Sequence, residues 1–328
     1  MTAMNFTVRP GFRLASRPSH RRATTFGTRW LARLVAAALL GLSAAARAAE
    51  LKAVKIGSRI DVTVGTDFFT SYRFSADEKY PFFFPVNGPS GAAVTSMRNG
   101  KFPHHSSIFF GCDKVNGGNY WQEGNERGQI LSAGAVIVRA AGPQIVITDV
   151  CHWRRPGAEP PIRDTRKIAI SAPTAAFRLI DFEITLEPLI PVTIEKTNHS
   201  LFSVRLDPDL TPASGGTMMN AAGASGEKST FGVPSPWMAG YGKRGAGEIE
   251  GLAVLQHPAN RWGASAWFTR DYGFMSPTPM YWPPDGVAIK LAKGETVTLR
   301  YRVVVFSGDP VKTDFSRHYS DYVASANP

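Results

Sequence analysis

The chain has 328 residues, 37 of them Lys or Arg and 26 Asp or Glu, for a formal charge of +11 and a pI near 9.8. That excess is concentrated: residues 1–48 hold eight arginines and no acid, so the rest carries 29 basic residues against 26 acidic. Such a mild balance leaves no electrostatic footprint for a nucleic acid, and 280 residues suffice to bury a large core.

At the N-terminus, the basic leader from Arg9 to Arg33 is followed by the apolar run LVAAALLGLSAAA and then by ARAAE. A basic leader, a short apolar stretch and a small-residue cleavage pattern predict a secretory signal peptide over residues 1–48, cut after Ala48. The run is short for a membrane-spanning helix, and no second apolar run of membrane length follows. The mature chain, residues 49–328, is expected to be one soluble β domain in the periplasm or secreted. The Arg21-Arg22 pair leaves the export route open between the general and twin-arginine pathways.

The first unusual segment of the mature chain is KFPHHSSIFFGCDKVNGGNYWQEG, Lys101 to Gly124. It packs imidazole, carboxylate, ammonium and indole groups into one loop-like stretch, which is how function is carried on a rigid scaffold. Gly117 and Gly118 read as a turn needing positive φ, and adjacent His104 and His105 would face opposite ways on a strand. Gly134 to Ala140 and Pro143 to Trp153 are β-branched runs separated by Ala-Gly-Pro. Lys167 to Leu189 holds two alternating stretches in which Phe182, Ile184 and Leu186 share one face, opposite Asp181, Glu183 and Thr185.

Asp207 to Trp237 is a long Gly/Ser/Pro-rich region, of a size that a compact domain keeps for function. Val287 to Asp309 reads as a hairpin turning at Lys293-Gly294-Glu295. Only Asp314 to Ala326 shows helical periodicity. Many strands with Gly and Pro between them, and no internal repeat, predict an all-β antiparallel sandwich or barrel. Cys112 and Cys151 are equally compatible with a disulfide and with two separate buried thiols.

The chain has no C-x-x-C pair, H-E-x-x-H, EF-hand loop, P-loop or G-x-S-x-G elbow. What remains is a set of polar clusters: His104-His105 with Asp113, Lys114, Asn116, Trp121, Gln122 and Glu123; Lys196, Asn198 and His199 in EKTNHS; Glu227 and Trp237 in the long region; His257 and Arg270 in QHPANRWGASAWFTRDYG; and Tyr281-Trp282. Histidine exchanges protons near neutral pH and a carboxylate complements it. Aromatic faces suit the C–H face of a pyranose, and Asn, Lys and Arg suit its hydroxyls. The mixture predicts a small-molecule or oligosaccharide substrate and no cofactor.

His105 or His199 is the expected proton-transferring group, with Glu123 as its partner. Trp121, Tyr281 and Trp282 are the expected stacking platforms. His104, Lys114, Asn116, Lys196, Asn198, Glu227, Trp237, His257 and Arg270 are the expected contacts to the sugar. Two other readings use the same residues: a carbohydrate-binding protein without turnover, and a metal site assembled from the histidines and Glu123.

Several stretches in consistent order also resemble the PmoA-like family of exported bacterial proteins: YPFFFPVNGPSG, FPHHSSIFFGCDKVNGGNYW, KTNHSLFSVRL, GEKSTFG, VLQHPANRW, WFTRDYGFMSPTPMYW and LRYRVVVFSGD. In that family Arg-Gly usually follows the histidine pair; Ser106-Ser107 stand here instead. The family label comes from methane oxygenase, but the mature chain lacks the apolar spans of a membrane-embedded oxygenase, so that activity does not carry over. The resemblance implies a galactose mutarotase-like β-supersandwich and, by analogy of fold, a carbohydrate substrate.

Overall fold

The computed structural model describes residues 49–325 apart from Asn99, Glu123, Ala246 and Asp285; the expected signal peptide lies outside the described residues. Its strands, in chain order, are β1 (Leu51–Ile56), β2 (Arg59–Val64), β3 (Asp67–Arg73), β4 (Phe82–Val86), β5 (Ile108–Cys112), β6 (Gln129–Ser132) and β7 (Val136–Arg139). There follow β8 (Ala141–Gly142), β9 (Gln144–Arg154), β10 (Ile162–Thr174), β11 (Phe177–Pro188), β12 (Val192–Glu195), β13 (Ser200–Arg205) and β14 (Thr217–Asn220). The last are β15 (Trp237–Lys243), β16 (Ile249–Gln256), β17 (Trp267–Arg270), β18 (Phe274–Pro277), β19 (Ala288–Leu291) and β20 (Val297–Ser307). Short helices α1 (Glu227–Thr230) and α2 (Pro310–Thr313) and the longer α3 (Phe315–Ser325) complete the fold. None of these helices is long and apolar enough to cross a membrane.

The first sheet runs β17-β18-β13-β5-β4-β3-β2-β1-β8, and the second β14-β15-β16-β20-β11-β10-β9-β6 with β7 also on β9. Every pairing is antiparallel, as the alternating segments predict. On β11 the expected faces hold: Phe182, Ile184 and Leu186 are buried, while Asp181 and Glu183 pair with Arg302 and Arg300 directly across on β20. The core lies between the sheets, where Phe202 of β13 stacks on Tyr301 of β20 at 4.5 Å and meets Phe182 at 4.9 Å.

The stretch from Val287 to Asp309 forms two strands, but they are not a hairpin. β19 pairs with β12 in a separate two-stranded sheet, whereas both edges of β20 are taken by β11 and β16. The turn survives as Glu295 N–H donating to Ala292 O, and the strands diverge beyond it. A second apolar cluster forms on the far face of the second sheet, where α3 lays Phe315 and Tyr322 over Trp237, Leu255 and Phe306. Cys112 on β5 and Cys151 on β9 are two separate buried thiols.

Candidate functional site

Strands β17, β18, β13 and β5 are neighbours, and their register decides which side chains share a face. Arg205 lies opposite Phe274, Phe274 opposite Arg270, and Ser203 opposite Phe109. Residues directly opposite in an antiparallel pair project to the same side. Because Phe202 packs toward the second sheet, Ser203, Arg205, Phe274 and Arg270 face away from it. That outward face is covered by loops that carry most of the polar clusters.

His199 immediately precedes β13. Its Nδ1 lies 3.0 Å from Oδ2 of Asp113, and Asp113 N–H donates to the His199 carbonyl at 3.0 Å, so the two residues are tied twice. An ionised carboxylate can only accept, so Nδ1 carries the proton and Nε2 is the nitrogen left for another partner. Gln122 Nε2 is placed 3.2 Å from the same nitrogen; with Nδ1–H donated to Asp113, the compatible amide orientation is the one that presents Oε1 there. Trp121 packs 5.8 Å from the His199 ring, and His104 lies 6.3 Å from it.

The two adjacent histidines do not point to opposite faces. Strand β5 begins only at Ile108, and the rings of His104 and His105 meet edge to face at 4.5 Å. His105 is stacked against Phe102 at 5.0 Å and Phe274 at 4.5 Å. Burial, reinforced by His104, Arg205 and His199, pushes its imidazole down to about 2. Burial and His199 also lower His104.

This has a measurable consequence. His105 stays neutral in the fold but titrates near 6.5 when unfolded, so between those values the unfolded chain binds the extra proton. Stability is therefore full above about pH 6.5 and falls as the pH drops, by up to about 1.4 kcal/mol per unit from this group. His105→Phe keeps the stack and removes the titration. Its urea-derived stability should decline less steeply than that of the native protein between pH 6.5 and 4.5, and equal slopes would refute the burial argument.

The face continues past His105. The Arg205 guanidinium lies 4.5 Å from the Tyr272 ring centroid and 5.2 Å from that of Phe102. Arg270 lies over Phe268 and Phe231 and donates to Glu227 at 2.9 Å, while Glu227 and Asp271 exchange backbone-to-carboxylate bonds. Tyr281 and Trp282, both half-buried, meet Phe231, and Lys196 reaches over the Tyr281 ring. The contacts thus run continuously from His199 through His105 and Arg205 to Arg270, with Phe274 and Phe268 as the floor.

Beside His199 opens a cavity of about 510 Å³ between the 113–122 loop and residues 195–199, with Tyr281 at its side and no aliphatic side chain in its lining. Lys114, Lys196 and Asn198 all line it. Among the described residues, buried polar atoms without a hydrogen-bond partner concentrate around this face: Asp113 Oδ1, Trp121 Nε1, His105 Nδ1 and Arg205 Nε and Nη1. Buried polar groups are normally paired, so this concentration marks a surface shaped for a polar ligand.

Backbone conformation agrees. Ser107, Lys114, Asn116 and Leu201 all sit at positive φ without being glycine, and all four flank the histidines. Such residues persist where the surroundings over-determine them, typically at functional sites. Of the two glycines in the loop, Gly117 takes the expected positive φ, whereas Gly118 is needed because a Cβ would lie 2.8 Å from the Tyr120 ring.

Not every predicted residue is here. Trp237 packs on Phe315 and His257 on Tyr322, both in the cluster beneath α3 on the second sheet. Asn116 uses its amide inside the protein, donating to Pro191 O and accepting from Thr193 N–H. Trp121 is fully buried against Phe109, so it forms floor and is not an exposed platform. Glu123 lies outside the described residues, and the carboxylate found on His199 is Asp113. Residues without an assigned role in the sequence reading, Asp113, Gln122, Arg205, Phe102 and Tyr272, complete the face. The arginine in SLFSVRL, whose other residues are apolar or serine, was the available signal for one of them. Among the described residues, no group of three His, Cys, Asp or Glu side chains is placed to hold a metal ion.

The chain belongs to a family of unknown function, DUF6807, whose model matches residues 59–320. Nothing in that match supports the PmoA-like label. No curated protein matches the chain. Among solved structures, one similar chain is described as a kojibiose phosphorylase from the human microbiome, at 6% identity and a TM-score of 0.35. That alignment covers 83% of this chain and 33% of the other, so the chain spans about a third of that protein. A galactose mutarotase related enzyme from Lactobacillus acidophilus aligns at 9% identity and a TM-score of 0.31, covering 79% and 98% of the two chains. An alpha-galactosidase from Lactobacillus brevis aligns at 8% identity and 0.27, covering 78% and 39%. At such scores the likeness assigns neither substrate nor chemistry; the all-β antiparallel architecture stands on the sheets themselves.

Proposed function

We propose that this protein is exported to the periplasm or beyond and acts there on a saccharide, with His199 transferring the proton and Asp113 holding it in the required tautomer. The observation that carries this reading is the Asp113–His199 pair at the wall of a polar cavity that Tyr281 also lines, with Trp282 packed edge-to-face on Tyr281 at 4.7 Å. With Nδ1–H donated to Asp113, Nε2 is free to take a proton from a sugar hydroxyl or acidic carbon and return it to a ring or leaving oxygen. Epimerisation, elimination and glycoside cleavage all use that exchange. Lys114, Lys196 and Asn198 supply donors for hydroxyls. Export rests on the signal-peptide pattern of residues 1–48.

The test is a saccharide panel assayed for both binding and turnover, on the native protein and on His199→Ala. Turnover that disappears in the variant while affinity stays within about tenfold supports the reading. Native protein that binds sugars and converts none is a carbohydrate-binding module, and the catalytic assignment then fails.

A further inference from the structure

We propose that the saccharide is acidic, and that Arg205 is the group that receives its carboxylate. This rests on the saccharide reading above and narrows it to uronic acids and related acidic sugars.

Arg205 is 5% exposed and ends a strand buried on both faces. The other buried arginines have partners of their own: Arg166 is paired with Asp164, and Arg178 donates to the carbonyls of Asn87 and Gly88. Arg205 has none. Among the described residues no carboxylate forms an ion pair with it, and its Nε and Nη1 are shielded from solvent without a hydrogen bond. A desolvated cation left unpaired is costly, and stacking on Tyr272 and Phe102 compensates only its faces. Of the in-plane N–H groups, those on Nε and Nη1 remain unsatisfied. They form a rigid fork whose natural complement is a carboxylate, accepted two bonds at a time.

The acids that could have filled this role are committed elsewhere. Glu227 is held by Arg270 and by Asp271 N–H, and Asp113 by His199. The neighbouring polar group is also without a partner. His105 stacks on Phe102, which stacks on Tyr272 at 4.3 Å, and its buried Nδ1 has no partner. A guanidinium edge whose Nε–H and Nη1–H lack acceptors fits an incoming anion better than a neutral hydroxyl, and the unpartnered imidazole nitrogen in the same stacked cluster is a second polar group left open to a ligand. His104 and His199 connect this point to the proposed proton-transfer group. The proposed carboxylate site and the proposed proton-transfer group therefore lie along the same face.

The experiment is isothermal titration of the full mature chain with D-glucuronate, D-galacturonate, D-glucose, D-galactose and acetate at matched ionic strength. The uronates are expected to bind at least tenfold more tightly than the neutral hexoses and than acetate. In Arg205→Met that advantage should shrink to within twofold, and the ligand-free variant should melt at or above the native temperature, since an unpaired buried cation has gone. Arg205→Lys, which keeps the charge and loses the fork, is the second variant and should lose at least fivefold of the uronate advantage. Equal affinity for acidic and neutral sugars, or an advantage that persists in both variants, overturns the carboxylate assignment and leaves the saccharide reading standing. Acetate binding as tightly as the uronates overturns the saccharide reading while leaving an anion site at Arg205. Absence of binding by every probe overturns both.

Discussion

Asp113→Asn is expected to lower turnover on a saccharide substrate by about a hundred- to ten-thousand-fold while leaving the fold intact. The carboxylate does more than neighbour His199. It lies 3.0 Å from Nδ1 and, being an acceptor only, fixes the proton there. An asparagine of the same shape can turn its NH₂ toward Nδ1, which moves the ring proton to Nε2 and removes the lone pair that would act as base. The backbone bond from Asp113 N–H to His199 O is untouched, so the loop should stay in place. His199→Ala should cost a similar factor, and the double variant little more, because the two residues act as one unit. The measurement is initial rate at saturating substrate for the single and double variants, with near-ultraviolet circular dichroism as the check on packing. A single variant retaining turnover within threefold of native would remove Asp113 from the mechanism, and fully multiplicative losses would show that the two residues act separately.

The fold was legible in the sequence wherever one face of a strand is wet. On β11 the alternation of Phe182, Ile184 and Leu186 with acids survives intact because arginines on β20 meet those acids across the ladder. Where both faces are covered, periodicity says less. Strand β13 is buried at every position, so the arginine in SLFSVRL was visible but the face it projects from was not. Turn chemistry was read correctly at Lys293-Gly294-Glu295, yet a local turn does not say whether the flanking strands pair with each other or with distant partners. β20 finds β11 and β16, more than forty residues upstream in the nearer case, and only the assembled sheet shows it.

The same gap separates the two groups of predicted site residues. His199, His104, His105, Lys196 and Tyr281 come together because β5, β13 and β18 are neighbours, which no spacing in the chain announces. Trp237 and His257 sit in equally polar stretches but are covered by α3. The helix itself was foreseeable from its periodicity; the sheet face that it covers was not.

Asp164→Ala is expected to destabilise the protein by about 3–5 kcal/mol, a large part of the total stability of an ordinary domain. Asp164 and Arg166 both point inward from β10, at 0% and 3% exposure, and form an ion pair at 2.7 Å. The same carboxylate accepts from Trp153 Nε1 at 2.7 Å, and the guanidinium reaches toward the Pro81 carbonyl and over Phe110. Removing the acid leaves a buried guanidinium without its counter-charge and an indole N–H without an acceptor; each is costly in a dry interior. Asp164→Asn should cost less, because the amide oxygen can still accept from Trp153. The pair as a whole need not be net stabilising, since withdrawing two charges from water opposes their attraction. Asp164→Leu combined with Arg166→Met should therefore recover most of the loss, and urea unfolding of the single and double variants measures the coupling directly. If the single variant unfolds within about 1 kcal/mol of the native protein, water reaches this pair and the inter-sheet core is not closed at β10.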